Sequence, residues 1–200
     1  KSDILLLGSL PPLIMSYKTE LGKNKNEAKD IYKRIVEIQR QHVDIFVCET
    51  VSSIEEAEVV TQAALGSEKK VWLSFCVKEE DGTQLRSGES LEDVLTQFEN
   101  TEINSFLVNC SPPEAIHQSI GVMKKSKKPF GGLPNGFKSV NLLNDENDVS
   151  VLEKRDDFNI DKFVKNTLRF IENNASIIGG CCEVSPKYIK SLKNKIQTIN

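Results

Sequence analysis

The sequence predicts an α/β fold of the (β/α)8 TIM-type barrel class, and two observations support this prediction. First, six short apolar runs alternate with segments whose apolar residues recur at helical spacing. Second, polar and reactive residues follow several of these runs, at the strand ends where barrel enzymes build their sites. An open, doubly wound sheet is the alternative, but the chain lacks the glycine fingerprint of a dinucleotide fold.

The six apolar runs predict parallel strands that are buried on both faces, because both alternate positions are often apolar. A complete barrel has about eight such units. Either two β/α units are therefore absent from this chain, or the fold is not a barrel. The predicted strands are Asp3–Leu7, Asp44–Cys48, Val71–Val77, Ser105–Asn109, Lys128–Leu133 and Ala175–Ile178.

Helical patterns and start signals occupy the segments between the strands. The first helix is predicted to bury Ala28, Ile31, Ile35 and Ile38 on one face. The stretch from 136 to 159 has no such pattern, and we expect an insertion over the site face there. Later helices have capping-box or serine–proline start signals at Ser52 with Glu55 or Ser53 with Glu56, Ser90 with Asp93, Ser111 with Pro112, and Ser185 with Pro186.

The composition is that of a single globular domain with a solvated surface. The chain has 26 basic and 29 acidic residues, a net charge of −3, and these residues are interspersed. Because no electropositive face is visible, a nucleic acid partner is not expected. No apolar run approaches the ~20 residues of a membrane span, and no cleavable leader opens the chain. We therefore predict a cytoplasmic protein without membrane association.

Three of the five cysteines follow predicted strands and should lie on one rim of the barrel. Cys110 follows the fourth strand, and Cys181 and Cys182 follow the sixth. Three thiolates with a vacant fourth position form the kind of site that holds catalytic zinc. Gly179 and Gly180 are predicted to bend the backbone so that the neighbouring cysteines face one ion. The alternative is that these thiols are only buried core groups.

The other two cysteines and the histidines are predicted to have no role in this site. The odd number of cysteines and their scattered positions indicate reduced thiols and not a disulfide framework. Cys48 and Cys76 lie within apolar strands, so we expect them to be buried away from the trio. His42 and His117 have no partner at ligand spacing and are predicted to be surface residues.

Four motifs, in this order, resemble the homocysteine S-methyltransferase family, which includes the betaine–homocysteine enzymes. They are GSLPP at 8–12, DIFVCET at 44–50, LVNC at 107–110 and IIGGCC at 177–182. The resemblance extends over nearly the whole chain. The paired cysteines are its most specific feature, because a strand-end Asn-Cys precedes them by about seventy residues.

The resemblance implies a zinc-dependent (β/α)8 barrel that transfers a methyl group to homocysteine. The family's zinc ligands correspond to Cys110, Cys181 and Cys182. Glu49 matches the family's glutamate that contacts the substrate amino group, although by itself a carboxylate at that position is more typical of a solvated loop entry. Two further residues are predicted to bind substrate: Asn109, in the LVNC motif, and Asn135, in the LPNG segment.

One departure from the family concerns the N-terminal part of the barrel. The family's first strand, with its Asp-Gly-Gly motif, and its second β/α unit have no counterpart, and KSDILLLGSLPP matches the third strand. The resemblance therefore implies that residues 1–200 are a homocysteine-binding barrel domain that is incomplete at its N-terminus. We expect the two absent units to be encoded upstream, and a barrel remnant is the alternative.

The predicted reaction is methyl transfer from a sulfonium or quaternary ammonium donor to the homocysteine thiolate, giving methionine. Zn²⁺ is the predicted cofactor, and homocysteine and a small methyl donor are the predicted partners. S-methylmethionine, S-adenosylmethionine, betaine and dimethylsulfoniopropionate all remain possible donors. The alternative function is a non-catalytic zinc- or thiol-binding protein, or a redox sensor. The sequence does not predict an oligomeric state.

Overall fold

The computed structural model describes residues 4–145 and 148–199. A helix follows each strand of one parallel sheet in this part of the chain. The strands are β1 (Leu7–Leu10), β2 (Ile45–Val51), β3 (Lys70–Phe75), β4 (Ser105–Asn109), β5 (Phe130–Leu133) and β6 (Ile177–Ile178). The helices are α1 (Lys25–Gln39), α2 (Ile54–Leu65), α3 (Leu91–Phe98), α4 (Pro113–Met123), α5 (Ile160–Glu172) and α6 (Pro186–Gln197).

The six strands lie in the sheet in the same order as in the chain, and every neighbouring pair is parallel. In a doubly wound sheet the order of the strands reverses at a switch point, whereas in a barrel each new strand pairs with the strand before it. The α/β, TIM-type prediction is confirmed as a partial barrel, and the described residues contain six β/α units. Among the described residues, β1 and β6 each pair on one side only.

The predicted strand positions are confirmed, but several boundaries were wrong. The range of β4 matches its prediction. Pairing of β1 begins at Leu7 opposite Ile45, so β1 starts later than predicted, and Asp3 lies outside the described residues. The next strand, β2, continues past Cys48 to Val51, through a register shift that apolar content alone does not signal.

The buried face of α1 differs from the predicted one. Ala28, Tyr32 and Val36 are buried, whereas Ile31 and Ile38 are exposed. Tyr32 determines this orientation, because its ring is fully buried and its hydroxyl donates a 3.1 Å hydrogen bond to the Pro11 carbonyl. The predicted face contained the isoleucines and not Tyr32, so it was displaced by one position from the buried face.

Most of the predicted helix starts are confirmed. The side chains of Ser53 and Ser90 accept hydrogen bonds from the third residue of α2 and α3, respectively. Ser185 precedes Pro186 at the start of α6 as predicted. Helix α4 was predicted one residue too early, since Pro112 itself is the N-cap. The side chain of the preceding residue, Ser111, instead accepts a 3.2 Å hydrogen bond from the Val77 N–H.

The stretch from 136 to 159 is the predicted irregular segment. It contains two short 3-10 helices, Asn141–Asn144 and Val149–Val151, and an isolated bridge between Phe137 and Lys154. Glu79, which follows β3, binds this segment through the Ser139 hydroxyl and the Val140 N–H. The segment is thereby attached to the rim at the carboxyl ends of the strands.

The main hydrophobic core lies between the outer face of the sheet and the helices. Phe46, Phe75 and Phe106, one from each of three successive strands, are fully buried there. The opposite face of the sheet is more polar near the strand ends and includes Ser74 and Asn109. Of the helices described, none has both the length and the apolar content that crossing a membrane requires.

Helix α2 carries a buried carboxylate. Glu56 is 4% exposed, and its Oε2 accepts a 2.9 Å hydrogen bond from the Ser52 N–H. Burial raises the pKa of Glu56 to about 7, because the charged form loses its hydration, although the Ser52 hydrogen bond acts in the opposite direction. The protonated form is therefore favoured in the folded state below about pH 7.

The Glu56 carboxyl should make folding stability depend on pH. Its folded pKa lies above the ordinary value of 4.5, so its contribution is complete below pH 4.5 and is lost as the pH rises through 7. A Glu56→Gln variant keeps an acceptor for Ser52 but cannot ionise. Relative to this variant, the wild type should lose up to about 3 kcal/mol of unfolding free energy between pH 5 and pH 8.

Urea denaturation of both proteins at several pH values measures this difference. Glu55→Gln, at the exposed neighbouring position, is the matched control and should follow the wild-type pH dependence. Parallel stability curves for the wild type and Glu56→Gln would show that the Glu56 carboxyl has an ordinary pKa.

Candidate metal centre

Three cysteine sulfurs converge at the carboxyl ends of the strands. Cys110 directly follows β4, and Cys181 and Cys182 lie in the turn after β6. The Cys182 sulfur is 3.5 Å from that of Cys110 and 3.9 Å from that of Cys181. All three sulfurs lie within 4.8 Å of one another. The predicted convergence of the trio is therefore present in the structure.

The segment after β5 holds both sides of the trio in place. The Cys110 N–H donates to the Leu133 carbonyl at 3.1 Å, and the Cys181 N–H donates to the Pro134 carbonyl at 2.9 Å. The Gly136 N–H donates to the Cys182 carbonyl at 3.0 Å. These backbone hydrogen bonds attach the ends of β4 and β6 to one strand between them, which fixes the spacing of the sulfurs.

The backbone bend at the trio comes from residues other than the predicted glycines. Cys110 has a left-handed backbone, with φ of 51°, and Glu183 has φ of 66°. Neither Gly179 nor Gly180 is left-handed. They are needed for space, because a Cβ on Gly180 would lie 2.2 Å from the Val184 side chain and one on Gly179 would lie 2.7 Å from that of Leu133. Gly179 and Gly180 are therefore needed because a side chain would not fit there, and the prediction that they bend the backbone was wrong.

The spacing of the sulfurs fits a tetrahedral zinc ion. With Zn–S bonds of about 2.3 Å, tetrahedral geometry sets neighbouring sulfurs about 3.8 Å apart. The two measured distances, 3.5 and 3.9 Å, lie on either side of that value. Sulfur is also a ligand that zinc prefers, and three protein ligands leave one position for a substrate. The residues present therefore fit this metal without rearrangement of the backbone.

The three thiols do not ionise independently. The pKa of Cys182 is lowered to about 3, because the thiols of Cys110 and Cys181 stabilise its thiolate by hydrogen bonding. The pKa of Cys110 is raised by its contacts with the Cys181 and Cys182 thiols and by its burial. The hydrogen bonds within the trio thus favour one thiolate, and repulsion between like charges opposes the ionisation of a second thiol. Complete ionisation of the trio requires a cation at its centre.

Cys48 and Cys76 are fully buried, as predicted. The location predicted for Cys76 was wrong in one respect, because its sulfur is 3.7 Å from the Cys110 carbonyl oxygen and packs in the same cluster. Burial raises the pKa of Cys76 to about 11 and that of Cys48 further. Both thiols remain protonated. His42 and His117 are exposed, as predicted.

Glu49 lies within β2 and not after it, since the strand continues to Val51. Its side chain is half-buried, and the Ser9 hydroxyl on β1 donates a hydrogen bond to its Oε1. The next residue, Thr50, has a left-handed backbone with φ of 60°. Glu49 therefore has a carboxylate on the inner face of the sheet with one fixed partner and further acceptor capacity.

The side chain of Asn109 joins three strands. Its Oδ1 accepts hydrogen bonds from the Thr50 N–H at 2.8 Å and the Ser74 hydroxyl at 2.7 Å. Its Nδ2 donates to the Thr50 hydroxyl at 2.9 Å. One amide hydrogen remains for any other contact, so the main effect of Asn109 is to hold the strand end that precedes Cys110. Its predicted role in substrate binding stays a prediction.

Asn135 is buried directly behind Cys110. Its Nδ2 donates to the Cys110 carbonyl at 2.9 Å, and its N–H donates to the Ser111 carbonyl at 3.1 Å. Its Oδ1 is buried and has no hydrogen-bond partner among the described residues. A buried acceptor without a partner is costly, and a ligand that donates a hydrogen bond would remove that cost. The substrate role of Asn135 stays a prediction.

The sequence analysis missed Tyr17, whose hydroxyl donates a 3.2 Å hydrogen bond to the Cys110 sulfur. Burial and the nearby Cys110 charge raise the pKa of Tyr17, so it remains a donor. Arg86, also missed, donates to the Tyr17 carbonyl at 2.9 Å. Both residues lie in loops after strands. The only sequence signal was that they belong to segments that reach the same rim.

Comparisons with known proteins place the chain among methyltransferases by sequence. The model of the homocysteine S-methyltransferase family matches residues 1–196. A selenocysteine methyltransferase of Astragalus bisulcatus is 29% identical over 171 residues, covering 82% of this chain and 48% of that protein. Homocysteine S-methyltransferase 2 of Arabidopsis thaliana is 24% identical over 173 residues, covering 84% of this chain and 50% of that protein.

A similar fold is found among solved structures. The metallated form of the homocysteine methyltransferase MmuM from Escherichia coli superposes with a TM-score of 0.76, at 19% sequence identity. The superposition covers 96% of this chain and 61% of that one. The chain thus spans about half the length of the curated relatives it matches. Because the family model extends over nearly all of its residues, the chain belongs to the homocysteine S-methyltransferase family.

Proposed function

We propose that the protein containing this chain transfers a methyl group from a sulfonium or quaternary ammonium donor to homocysteine, giving methionine. The observation that carries the proposal is the convergence of the Cys110, Cys181 and Cys182 sulfurs at the spacing of zinc ligands. The names of the relatives support it, since they are methyltransferases of homocysteine or selenocysteine. The metallated state of the Escherichia coli enzyme supports a metal at this site.

The zinc ion proposed for this site would stabilise the homocysteine sulfur as a thiolate near neutral pH. The three cysteine thiolates leave the centre anionic, which preserves electron density on the attacking sulfur. That sulfur forms a bond to the methyl carbon, while the carbon–sulfur or carbon–nitrogen bond of the donor breaks. The donor leaves as a neutral thioether or tertiary amine with the electron pair, and the thiol proton passes to solvent.

Two oxygen acceptors near the strand ends suit the amino group of homocysteine. Glu49 offers a carboxylate with spare acceptor capacity on the inner face of the sheet. Asn135 offers a buried carbonyl oxygen that has no partner within the described ranges. A charge-assisted hydrogen bond to an ammonium group is favourable in such a partly buried position. We assign the ammonium contact to Glu49 and treat Asn135 as a second acceptor.

The charge of the site favours one class of methyl donor. A cationic donor is attracted to an anionic thiolate centre and leaves as a neutral molecule, which favours the four donors named above as a class. Trp72, which could bind a cation through its ring, is half-buried within β3 and does not lie at the strand end.

We place the protein in the cytoplasm, where free thiols remain reduced.

We also propose that two further β/α units complete the barrel between β1 and β6. Within the described residues, strand β1 pairs on one side only, and it presents apolar side chains to solvent together with its flanking residues and α1. At the other end, α5, α6 and the residues after α6 do the same. A closed barrel has no unpaired edges, and clustered exposed apolar groups indicate a contact surface. The exposed residues are Ile4, Leu5, Leu6, Leu7, Ile31 and Ile38 at one end and Ile171, Ile189 and Ile199 at the other.

Removing one sulfur of the trio should abolish stable zinc binding. Cys182 contacts both other sulfurs, so Cys182→Ala should reduce bound zinc from about one ion per chain to a small fraction of that, since zinc needs at least three of its ligands here. Atomic emission of the dialysed protein measures the metal content. Cys48→Ala is the control, because it removes a buried thiol that lies outside the trio.

Homocysteine should also protect the trio from alkylation in the wild type. Protection distinguishes a methyl-acceptor site from a purely structural zinc site, because a structural site has no open position for a substrate thiol. Equal zinc content in Cys182→Ala and the wild type would contradict the assigned ligands. Zinc binding without any effect of homocysteine would contradict the enzymatic function.

Replacing Glu49 should weaken the use of homocysteine without loss of zinc. Glu49→Ala removes a charge-assisted hydrogen bond worth about 1.5–3 kcal/mol, which corresponds to roughly a ten- to hundredfold lower kcat/KM for homocysteine. Steady-state kinetics of the protein with a complete barrel measure this change, and metal analysis accompanies it. Glu55→Ala, an exposed carboxylate nearby in sequence, should leave both values unchanged.

Ser9→Ala provides a graded test of the same carboxylate. It removes the hydroxyl that orients Glu49 but leaves the charge, so its effect should be smaller than that of Glu49→Ala. Unchanged homocysteine kinetics in Glu49→Ala would refute the substrate contact. Loss of zinc in Glu49→Ala would mean that the residue supports the metal and not the substrate.

A further inference from the structure

Tyr17 reaches the cysteine trio from a loop that carries none of the cysteines. It lies between β1 and α1, is 3% exposed, and donates its hydroxyl to the Cys110 sulfur at 3.2 Å. Its neighbours in the cluster include the sulfurs of Cys76 and Cys182. The hydroxyl is therefore a hydrogen-bond donor placed against one of the proposed zinc ligands.

The backbone of Tyr17 is held in an unfavourable conformation to achieve this. Its φ of 77° lies in the left-handed region, which a bulky residue rarely adopts. Such conformations persist only where the surroundings enforce them, and they cluster at functional sites.

Arg86 enforces this conformation by joining three loops. Its Nε donates to the Tyr17 carbonyl at 2.9 Å, and its guanidinium carbon lies 5.6 Å from the centre of the Tyr17 ring. The same guanidinium donates to Asn144 Oδ1 at 2.8 Å and to Asn141 Oδ1 at 3.3 Å. The Arg86 N–H donates to the Cys76 carbonyl at 3.2 Å. One side chain thus connects the loops after β1, β3 and β5.

We propose that Tyr17 is a positioning residue of the metal centre, and that its hydroxyl donates to the Cys110 thiolate while Arg86 holds the tyrosine in place. The inference rests on the proposed function, because it assumes that the trio binds zinc. Three thiolates around a dication leave a net negative charge in a largely buried site. A hydrogen bond to one sulfur disperses part of that charge, as outer-shell donors do at other metal sites.

The matched variants Tyr17→Phe and Tyr188→Phe test this proposal. Each removes one buried hydroxyl, but the Tyr188 hydroxyl donates to the Phe158 carbonyl in a separate cluster. Titration of the purified protein with cobalt gives the sulfur-to-metal charge-transfer band, and competition with a chelator gives the zinc affinity. Both readouts report on the sulfur ligands and do not depend on methyl transfer.

For Tyr17→Phe we expect the charge-transfer band to move to lower energy, because the sulfur lone pairs lose the stabilisation that the hydrogen bond provides. Zinc affinity should fall about tenfold, within the range typical of lost outer-shell contacts. Tyr188→Phe should match the wild type in both measurements. Arg86→Gln should shift the band in the same direction as Tyr17→Phe, since the tyrosine is then no longer held.

The outcomes separate this inference from the proposed function. If the wild type binds cobalt and zinc and Tyr17→Phe has the same band and affinity, the role of Tyr17 is refuted and the metal centre stands. If Tyr188→Phe changes both values as much as Tyr17→Phe does, the effect is one of general packing and the inference is also refuted. If the wild type binds neither metal, both the metal centre and the inference are overturned.

Discussion

The site depends on one constraint, the attachment of two distant strand ends to the strand between them. Cys110 and the Cys181–Cys182 pair are separated by about seventy residues, yet their backbones are both hydrogen bonded to the segment Leu133–Gly136. Parallel strands place their carboxyl ends on one rim, so residues that are remote in sequence meet there. These backbone hydrogen bonds set the distances between the sulfurs at the spacing that zinc requires.

Three loops enclose this rim and are interlocked by polar side chains. Arg86 binds the Tyr17 carbonyl and two asparagines of the segment after β5, and Glu79, in the same loop as Arg86, binds that segment at Ser139 and Val140. The Asn109 amide adds a link between β2, β3 and β4 just before Cys110. Hydrogen bonds within the sheet and hydrogen bonds between the loops at its rim therefore both hold the cysteines in place.

Sequence reasoning located this site because strand ends and cysteines leave clear signals. The alternation of apolar runs gave the order of the units, and the IIGGCC and LVNC motifs gave all three sulfurs. It failed where tertiary packing decides the outcome. Tyr32 turned the buried face of α1 through a contact with Pro11, and the left-handed backbones of Tyr17 and Cys110 have no signature in residue type. Contacts between loops, such as that of Arg86 with Tyr17, depend on how remote segments fold together.

We propose that Cys110, Cys181 and Cys182 together bind one zinc ion and leave one position for the homocysteine sulfur. Zinc K-edge X-ray absorption of the purified protein, before and after addition of homocysteine, tests it most directly. We expect three sulfur ligands at about 2.3 Å before homocysteine is added and four afterwards. A first shell made mainly of nitrogen and oxygen, or a sulfur count that homocysteine does not change, would contradict it.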